Sequence, residues 1–528
     1  MWSGRCRRPT PLPATDVSKI AVYKGNKKLI LILATPVVLL LLVAVGERLR
    51  GIVQLRAYVR HLEAKGEQLD YRKLLPPVPP KEDNIVTHMV EVARARDSFE
   101  QLAFRSPPFR NSSTSGVRRV VFKDDRWIWY DYLTDSDTPR TNNWPSFLEE
   151  FEQIEPLIES MMSAIRKPGF RMDADYEHGF FDINLGELKA VRWPGTWLGI
   201  AAVANLRRGN LPSAVEKLKV QSRLITSLGE GQFIILEFSR YAVFSSVFDT
   251  LWQCLQAEGW TEQQLAEMQK QWEGWDFQSD FERALVMERA TTDNWIKVVG
   301  GDASARERYI RKWKIGHSTG LGGTYSDPEW FFVFVRLGGW RLIWQEQDRL
   351  AMLQYYDQLI GNQRLARTNS WAIVQKRTGA GTNDVFSVIR SAADDPPWHQ
   401  RVRFLFSSQY QLDEDILEAA AKAQTTRNLG LAAIALHRFR LATGKWPESV
   451  DELVPVYLSA VPRDPMDGKK LRYHYNSGGY FKLYSVGNNF VDDGGDASPT
   501  PARNYYNHIW HGRDVVWPMP ATNAISRN

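Results

Sequence analysis

The chain has 528 residues, with 67 lysines and arginines against 61 aspartates and glutamates, for a formal charge of +6. All of that excess lies in residues 1–28, which hold seven bases and one acid, while the other 500 residues carry 60 charges of each sign. A short basic tail on a neutral body, with 43% hydrophobic and 24% charged residues, excludes a disordered chain and argues against a nucleic-acid-binding surface.

At roughly 150 residues per domain the length predicts about three units. The first strong signal is Leu29 to Gly46, eighteen residues without a charge. As a helix it measures about 27 Å, close to the hydrocarbon thickness of a bilayer, and Pro36 within it is tolerated in membrane helices. The seven bases before it outnumber Arg48, Arg50, Arg56 and Arg60 after it, which predicts a cytoplasmic N-terminus. Ala44-Val45-Gly46 offers a small-residue cleavage site, but the apolar run exceeds that of a cleaved signal peptide. The expectation is therefore a cytoplasmic basic tail over 1–28 and a single transmembrane anchor over 29–48. That anchor contacts the lipid bilayer of the cytoplasmic (inner) membrane, and the bulk of the chain is extracytoplasmic. Trp330 to Val335 is apolar, but Arg336 and Arg341 stop it from being a second span. Cys6 and Cys254 then lie on opposite sides and cannot pair, so Cys254 reads as a buried small hydrophobe.

Residues 49–83 read as a helical stalk followed by a stiff linker at Pro76-Pro77-Val78-Pro79-Pro80. Residues 84–400 read as a helical body. Strand-like pieces occur at Val117 to Phe122 and Arg126 to Tyr132. Ser146-x-x-Glu149, Ser279-x-x-Glu282 and Ser326-x-x-Glu329 have the spacing of capping boxes, in which hydroxyl and carboxylate satisfy each other's free backbone N–H groups. The first box opens an apolar stripe from Phe147 to Ile165, which Pro156 should kink. The second opens a helix to about Val299, and the third opens one ending near Gly361. Trp197 to Arg208, Ser213 to Leu228 and Phe233 to Ala257 are further predicted helices. The Ala204–Asn210 turn looks like that of a tetratricopeptide-type hairpin, but no regular 34-residue period follows.

The C-terminal region, 413–528, opens with a predicted helix from Asp415 to Thr443 that stops at Gly444 with Pro447 just beyond. A short helix from Glu448 to Val454 follows, then a turn at Pro462-Arg463-Asp464-Pro465. Strands Leu471 to Tyr475 and Tyr480 to Val486 flank a turn at Asn476–Gly479. An acidic glycine loop, Gly487 to Asp496, closes the region. The anchors Leu436–Leu441, Gly444–Pro447, Pro462–Pro465 and Leu483–Gly487, in that order, resemble the C-terminal domain of the major pseudopilin of type II secretion systems. The resemblance spans about 65 residues of the 528. It implies a small α+β module of a long helix and an antiparallel hairpin, and a calcium ion held by Asp492, Asp493 and Asp496. Carboxylates and carbonyls are the oxygen ligands that such a hard cation requires. The chain departs from the family in carrying Asn489-Phe490 where the family has Asp-Gly. It also has its apolar segment some 370 residues upstream of the helix, which argues against a self-polymerising pilus subunit.

Candidate chemistry elsewhere is sparse. Gly316-His317-Ser318-Thr319-Gly320 fits the G-x-S-x-G nucleophile elbow, with Ser318 as the nucleophile of a hydrolase, but its flanks suit neither a buried strand nor a helix. His508 and His511 lack a third zinc ligand nearby. Glu149-Glu150, Asp394-Asp395 and Asp413-Glu414-Asp415 read as solvated faces. The 20 tryptophans offer sugar-stacking surfaces only where they are exposed, and at helical spacing they are more often core. The fold class expected is mainly α, with one transmembrane helix, a body of irregular helical hairpins and a C-terminal pseudopilin-like module. The function expected is a membrane-anchored interaction or scaffold protein of the bacterial envelope, with an envelope protein as partner and an association with a type II secretion or pilus-like system. The alternatives are an extracytoplasmic hydrolase and a cell-wall glycan-binding protein.

Overall fold

In the computed structural model the described residues are 27–96, 106–107, 113–114, 117–118, 120–131, 136–173, 176–177, 185–316, 337–378, 403–407, 415–476, 480–498 and 509–517. They form a mainly helical fold with small antiparallel sheets.

Helix α1 (Lys27–Ala64) is 38 residues long, and its two halves differ. Val37 through Val43 and Val45 are each 50–70% exposed. At 100° per residue they cover every side of the helix, so this half has no polar face. Farther along, Gly51, Leu55 and Leu62 turn inward at helical spacing and are buried. Among the described residues no helix is long and apolar enough to cross a membrane, so the fold does not support the expected span over 29–48. The side chains of that run are described from Ala34 onward.

The expected stalk does not stand free. Gln347 Nε2 donates to Glu47 Oε2 at 2.8 Å, and Tyr58 donates to Asp357 Oδ2 at 2.9 Å, so α1 is fastened along a body helix. The proline run is pinned as well, because Arg171 Nη1 donates to the carbonyl of Pro76 at 2.6 Å. A Cβ at Gly169 would strike Pro79. Packing of apolar and ionic partners along its length turned a predicted spacer into part of the body.

After α2 (Ile85–Arg96), strands β1 (Ser113–Thr114) and β2 (Val117–Arg118) pair, as do β3 (Arg126–Asp131) and β4 (Ser136–Asn143). The predicted kinked helix is two helices, α3 (Trp144–Glu152) and α4 (Glu155–Ile165), because Pro156 lies in the first turn of the second, where its missing N–H leaves no gap. Asn143, not Ser146, caps α3, its side chain accepting from Ser146 N at 3.0 Å. Next come α5 (Leu185–Arg192), α6 (Pro194–Arg207), α7 (Leu211–Leu228) and α8 (Ile234–Leu255). The α6–α7 turn is the expected hairpin, with Gly209 at φ +73° and Asn210 capping α7 through Ser213 N.

Helices α9 (Glu262–Glu273), α10 (Phe277–Gly301) and α11 (Ala303–Gly316) follow. Asp276 caps α10, and Ser279 donates to it instead of forming the predicted box. A π-helical turn, Trp340–Trp344, leads into α12 (Gln345–Thr368), which runs past Gly361, and α13 (Trp371–Thr378) comes after it. The third predicted box, 326–329, lies outside the described residues.

Helix α14 (Asp415–Thr443) has the predicted bounds, and Gly444 ends it at φ +76°. Strands β5 (Arg472–Tyr475) and β6 (Phe481–Ser485) form the predicted antiparallel hairpin, with Arg472 opposite Tyr484, and an unpredicted β7 (Val515–Val516) adds a third strand beside β6. Helix α14 is not confined to a separate module. Its buried Leu429, Ala433 and Leu436 belong to the same core as α8, α9 and α10. Trp272 of α9 packs so closely on it that a Cβ at Gly430 would overlap the indole. Arg427 completes the contact, donating from Nε to Trp272 O and from Nη2 to Glu273 O, both at 2.7 Å. Both carbonyls lie at the end of α9, where helical C=O groups run out of intrahelical donors.

Candidate functional site

Two buried aspartates hold the acidic glycine loop. Asp514 is fully buried and accepts from the backbone N–H groups of Gly495 at 2.7 Å, Asp496 at 3.2 Å and Asp493 at 3.4 Å. Asp464, in the turn after the short helical segment, accepts from Met466 N at 3.0 Å, Ser485 Oγ at 2.9 Å, Val486 N at 3.1 Å and Arg472 Nη1 at 3.1 Å. Burial pushes the Asp464 carboxyl up to about 6 even though these donors favour its charge. The sequence marked 462–465 as a turn and as an anchor of the family resemblance but gave Asp464 no partners, and it gave no sign of Asp514.

The three acids expected to bind calcium face protein donors. Asp492 Oδ1 accepts from Tyr484 at 3.0 Å and Gly494 N at 3.1 Å, and its Oδ2 lies 3.5 Å from Arg472 Nε. Partial burial raises the Asp492 carboxyl, but these donors and the Arg472 charge outweigh it and hold the group below the usual aspartate range. Asp493 Oδ2 accepts from Asn489 Nδ2 at 2.8 Å, and Arg513 Nη1 is 3.9 Å from its other oxygen. Asp496 accepts from the N–H of Ser498 at 2.9 Å and also from its hydroxyl, and these bonds lower its carboxyl. A calcium cage requires six to eight oxygens converging on one point. Among the described residues no three His, Cys, Asp or Glu side chains converge in that way. In this arrangement the three acids are engaged by protein donors, and Arg472 and Arg513 supply the positive charge beside them.

The other sequence candidates are dispersed. Gly316 ends helix α11, where an elbow requires a strand, and Ser318 lies outside the described residues. His508 is outside them too, while His511 sits in the short turn before β7. Asp394, Asp395, Asp413 and Glu414 are likewise not described, and Glu149 is on the surface of α3. No described tryptophan is exposed, and Trp144, Trp252, Trp272 and Trp340 are fully buried, which leaves no stacking platform among them. Cys254 is buried, and burial pushes its thiol well up, so it is unreactive.

A cluster of paired charges lies where the turn after α1 meets α10 and α12. Fully buried Arg289 donates from Nη2 to Glu67 Oε2 at 2.6 Å, and Arg364 Nη1 reaches Glu67 Oε1 at 2.6 Å. Burial raises the Glu67 carboxyl, but the two arginines prevail and lower it. Asp293 is shared by Arg349 Nε at 3.0 Å and Lys297 Nζ at 2.6 Å. Beside these pairs opens a cleft of about 590 Å³ lined by Glu67, Tyr71, Arg72, Asp293, Lys297 and Arg349, among others. Its described lining contains no Ser, Thr, Cys or His, and Glu67, Asp293, Lys297 and Arg349 in it are engaged in ion pairs. Sequence reasoning missed it because the partners lie more than 200 residues apart. No protein-family model, curated protein or solved structure matches the chain.

Proposed function

We propose that the chain is a membrane-anchored scaffold protein of the bacterial envelope, with α1 as the anchor and the helical body as a rigid extracytoplasmic platform. The observation that carries this reading is the contrast within α1, where one half is exposed and apolar on every side while the other half is built into the body. Exposed apolar surface of that extent is unfavourable in water and favourable in hydrocarbon. The paired charges around Glu67, which lock the platform to its anchor, support the reading further. Because α14 is enclosed by α8, α9 and α10, a partner protein would dock on the outer surface of the body and not on that helix. An association with a secretion or pilus-like machine rests on the resemblance of the C-terminal elements.

Placement of the body is tested with Val456→Cys, an exposed position in the C-terminal region, in a Cys6→Ser background. A membrane-impermeant maleimide should label it in intact spheroplasts, while buried Cys254 stays silent. Labelling only after permeabilisation would overturn the extracytoplasmic assignment.

A further inference from the structure

The π-helical turn Trp340–Trp344 packs against α1 just where its exposed apolar half ends. Arg48 Nη1 donates to the carbonyls of Arg341 at 3.0 Å and Leu342 at 2.9 Å. These bonds hold the turn against the helix and leave Leu342 projecting, 66% exposed. Leu49 and Val53 of α1 project nearby in sequence, at 57% and 66%. Arg48, Arg50 and Arg341, on the same two elements, are exposed as well. Arg306 joins the same neighbourhood, since burial and then the Arg341 charge push its guanidinium down. Arg403 is lowered by burial, against the Glu47 charge that raises it, and by Arg50. The nearby acids are Glu47, which is occupied by Gln347 and lies 3.6 Å from Arg50, Glu346, which packs at Gly51 and accepts from Arg349, and Asp302, which accepts from Ser304. Arginine therefore predominates on this face.

We propose that this face is a second membrane contact. In it Leu342, Leu49 and Val53 enter the bilayer interface, and Arg48, Arg50 and Arg341 bind the phosphates of anionic lipid headgroups. The proposal rests on the anchor reading and extends it, because one helix then carries both the inserted segment and the plane on which the body sits. The physical case is continuity with the apolar half of α1 together with charge complementarity. Exposed apolar side chains interspersed in sequence with arginine, beside a partly buried Trp344, are the composition of an interfacial seat, in which guanidinium groups stay at headgroup depth while their stems and the leucine go deeper. Basic residues at an anionic surface each add affinity that falls with salt.

The test uses the full chain, Cys6→Ser, reconstituted in phosphatidylcholine vesicles with and without phosphatidylglycerol. Environment-sensitive labels are placed singly at Leu342→Cys, Val43→Cys and Val456→Cys, and quenching by brominated lipid is read. The expected result is quenching at 43 in both lipids, at 342 only with phosphatidylglycerol, and at 456 in neither. Adding Arg50→Ser and Arg341→Ser to the Leu342→Cys protein should weaken the phosphatidylglycerol-dependent quenching by about fivefold per arginine. Quenching at 43 but not at 342 would overturn the surface contact and leave the anchor standing. Quenching at 342 that is equal in both lipids would overturn the headgroup recognition. No quenching at 43 would remove the anchor, and this proposal with it.

Discussion

Fully buried Arg289 and largely buried Glu67 form an ion pair, Nη2 to Oε2 at 2.6 Å, between a helix of the body and the turn that follows α1. The pair explains why residues 49–73 are not a free stalk. Removing one member of a buried pair leaves the other charge without compensation, which costs about 3–5 kcal/mol. Glu67→Gln should therefore lower unfolding stability by an amount of that order in a denaturant titration. A loss below about 1 kcal/mol, the range of a surface pair, would mean that the turn is not held in this way.

Gly430 tests whether α14 belongs to the body. Trp272 occupies the space that a side chain at 430 would need, and overpacking a filled core costs about 1–3 kcal/mol. Gly430→Val should lower the cooperative melt of the whole chain and increase exposure of Trp272 to acrylamide. If instead only a C-terminal transition moved while the main one stayed in place, α14 would be part of an independent module.

Glu288 is buried with no ion-pair partner among the described residues, accepting from Ile234 N at 3.0 Å and Tyr356 at 3.4 Å, and burial raises its carboxyl to about 7 from an ordinary 4.5. The folded state therefore binds this proton more tightly than the unfolded state. Its contribution is fully present below pH 4.5 and is lost as pH rises through about 7. Glu288→Gln should match the parent near pH 5 and exceed it by up to about 3 kcal/mol at pH 8. Equal pH dependence in parent and variant, followed by urea unfolding, would contradict that burial.

The acidic loop gives a prediction about metal. Because Asp492, Asp493 and Asp496 face Tyr484, Arg472, Asn489, Arg513 and Ser498, calcium against excess chelator should leave the melt within about 1 °C. Any binding confined to the folded state would raise it by mass action. A rise of several degrees would show that the carboxylates leave their protein donors for the cation. Asp514→Ala should destabilise the loop either way, by about 1–3 kcal/mol, because three backbone N–H groups lose their acceptor.

Local chemistry was legible in the sequence, and distant partnership was not. The α6–α7 turn could be read because Gly209 and Asn210 make it from residues within one short segment. The bounds of α14 followed from Gly444 and Pro447 in the same way. The boxes at Ser146 and Ser279 misled because a better acceptor, Asn143 or Asp276, lies three residues earlier and takes the N–H first. Arg289 with Glu67, Trp272 with Gly430 and Asp514 with the acidic loop are all set by tertiary approach. No spacing rule encodes those approaches. At the candidate site, residue types pointed to charge on the loop but not to the arginines that answer it.

The most direct test of the central claim is alkaline carbonate extraction of membranes from cells expressing the full chain, beside a variant with Leu40→Lys and Leu42→Lys in the exposed half of α1. Charges placed near the middle of a spanning helix each oppose insertion by about 2.5–3.5 kcal/mol. The account predicts that the parent stays in the pellet and that the variant moves to the supernatant while keeping its far-UV helical signal. A parent that washes off with carbonate, or a variant that remains in the pellet as a folded protein, would contradict α1 as the anchor.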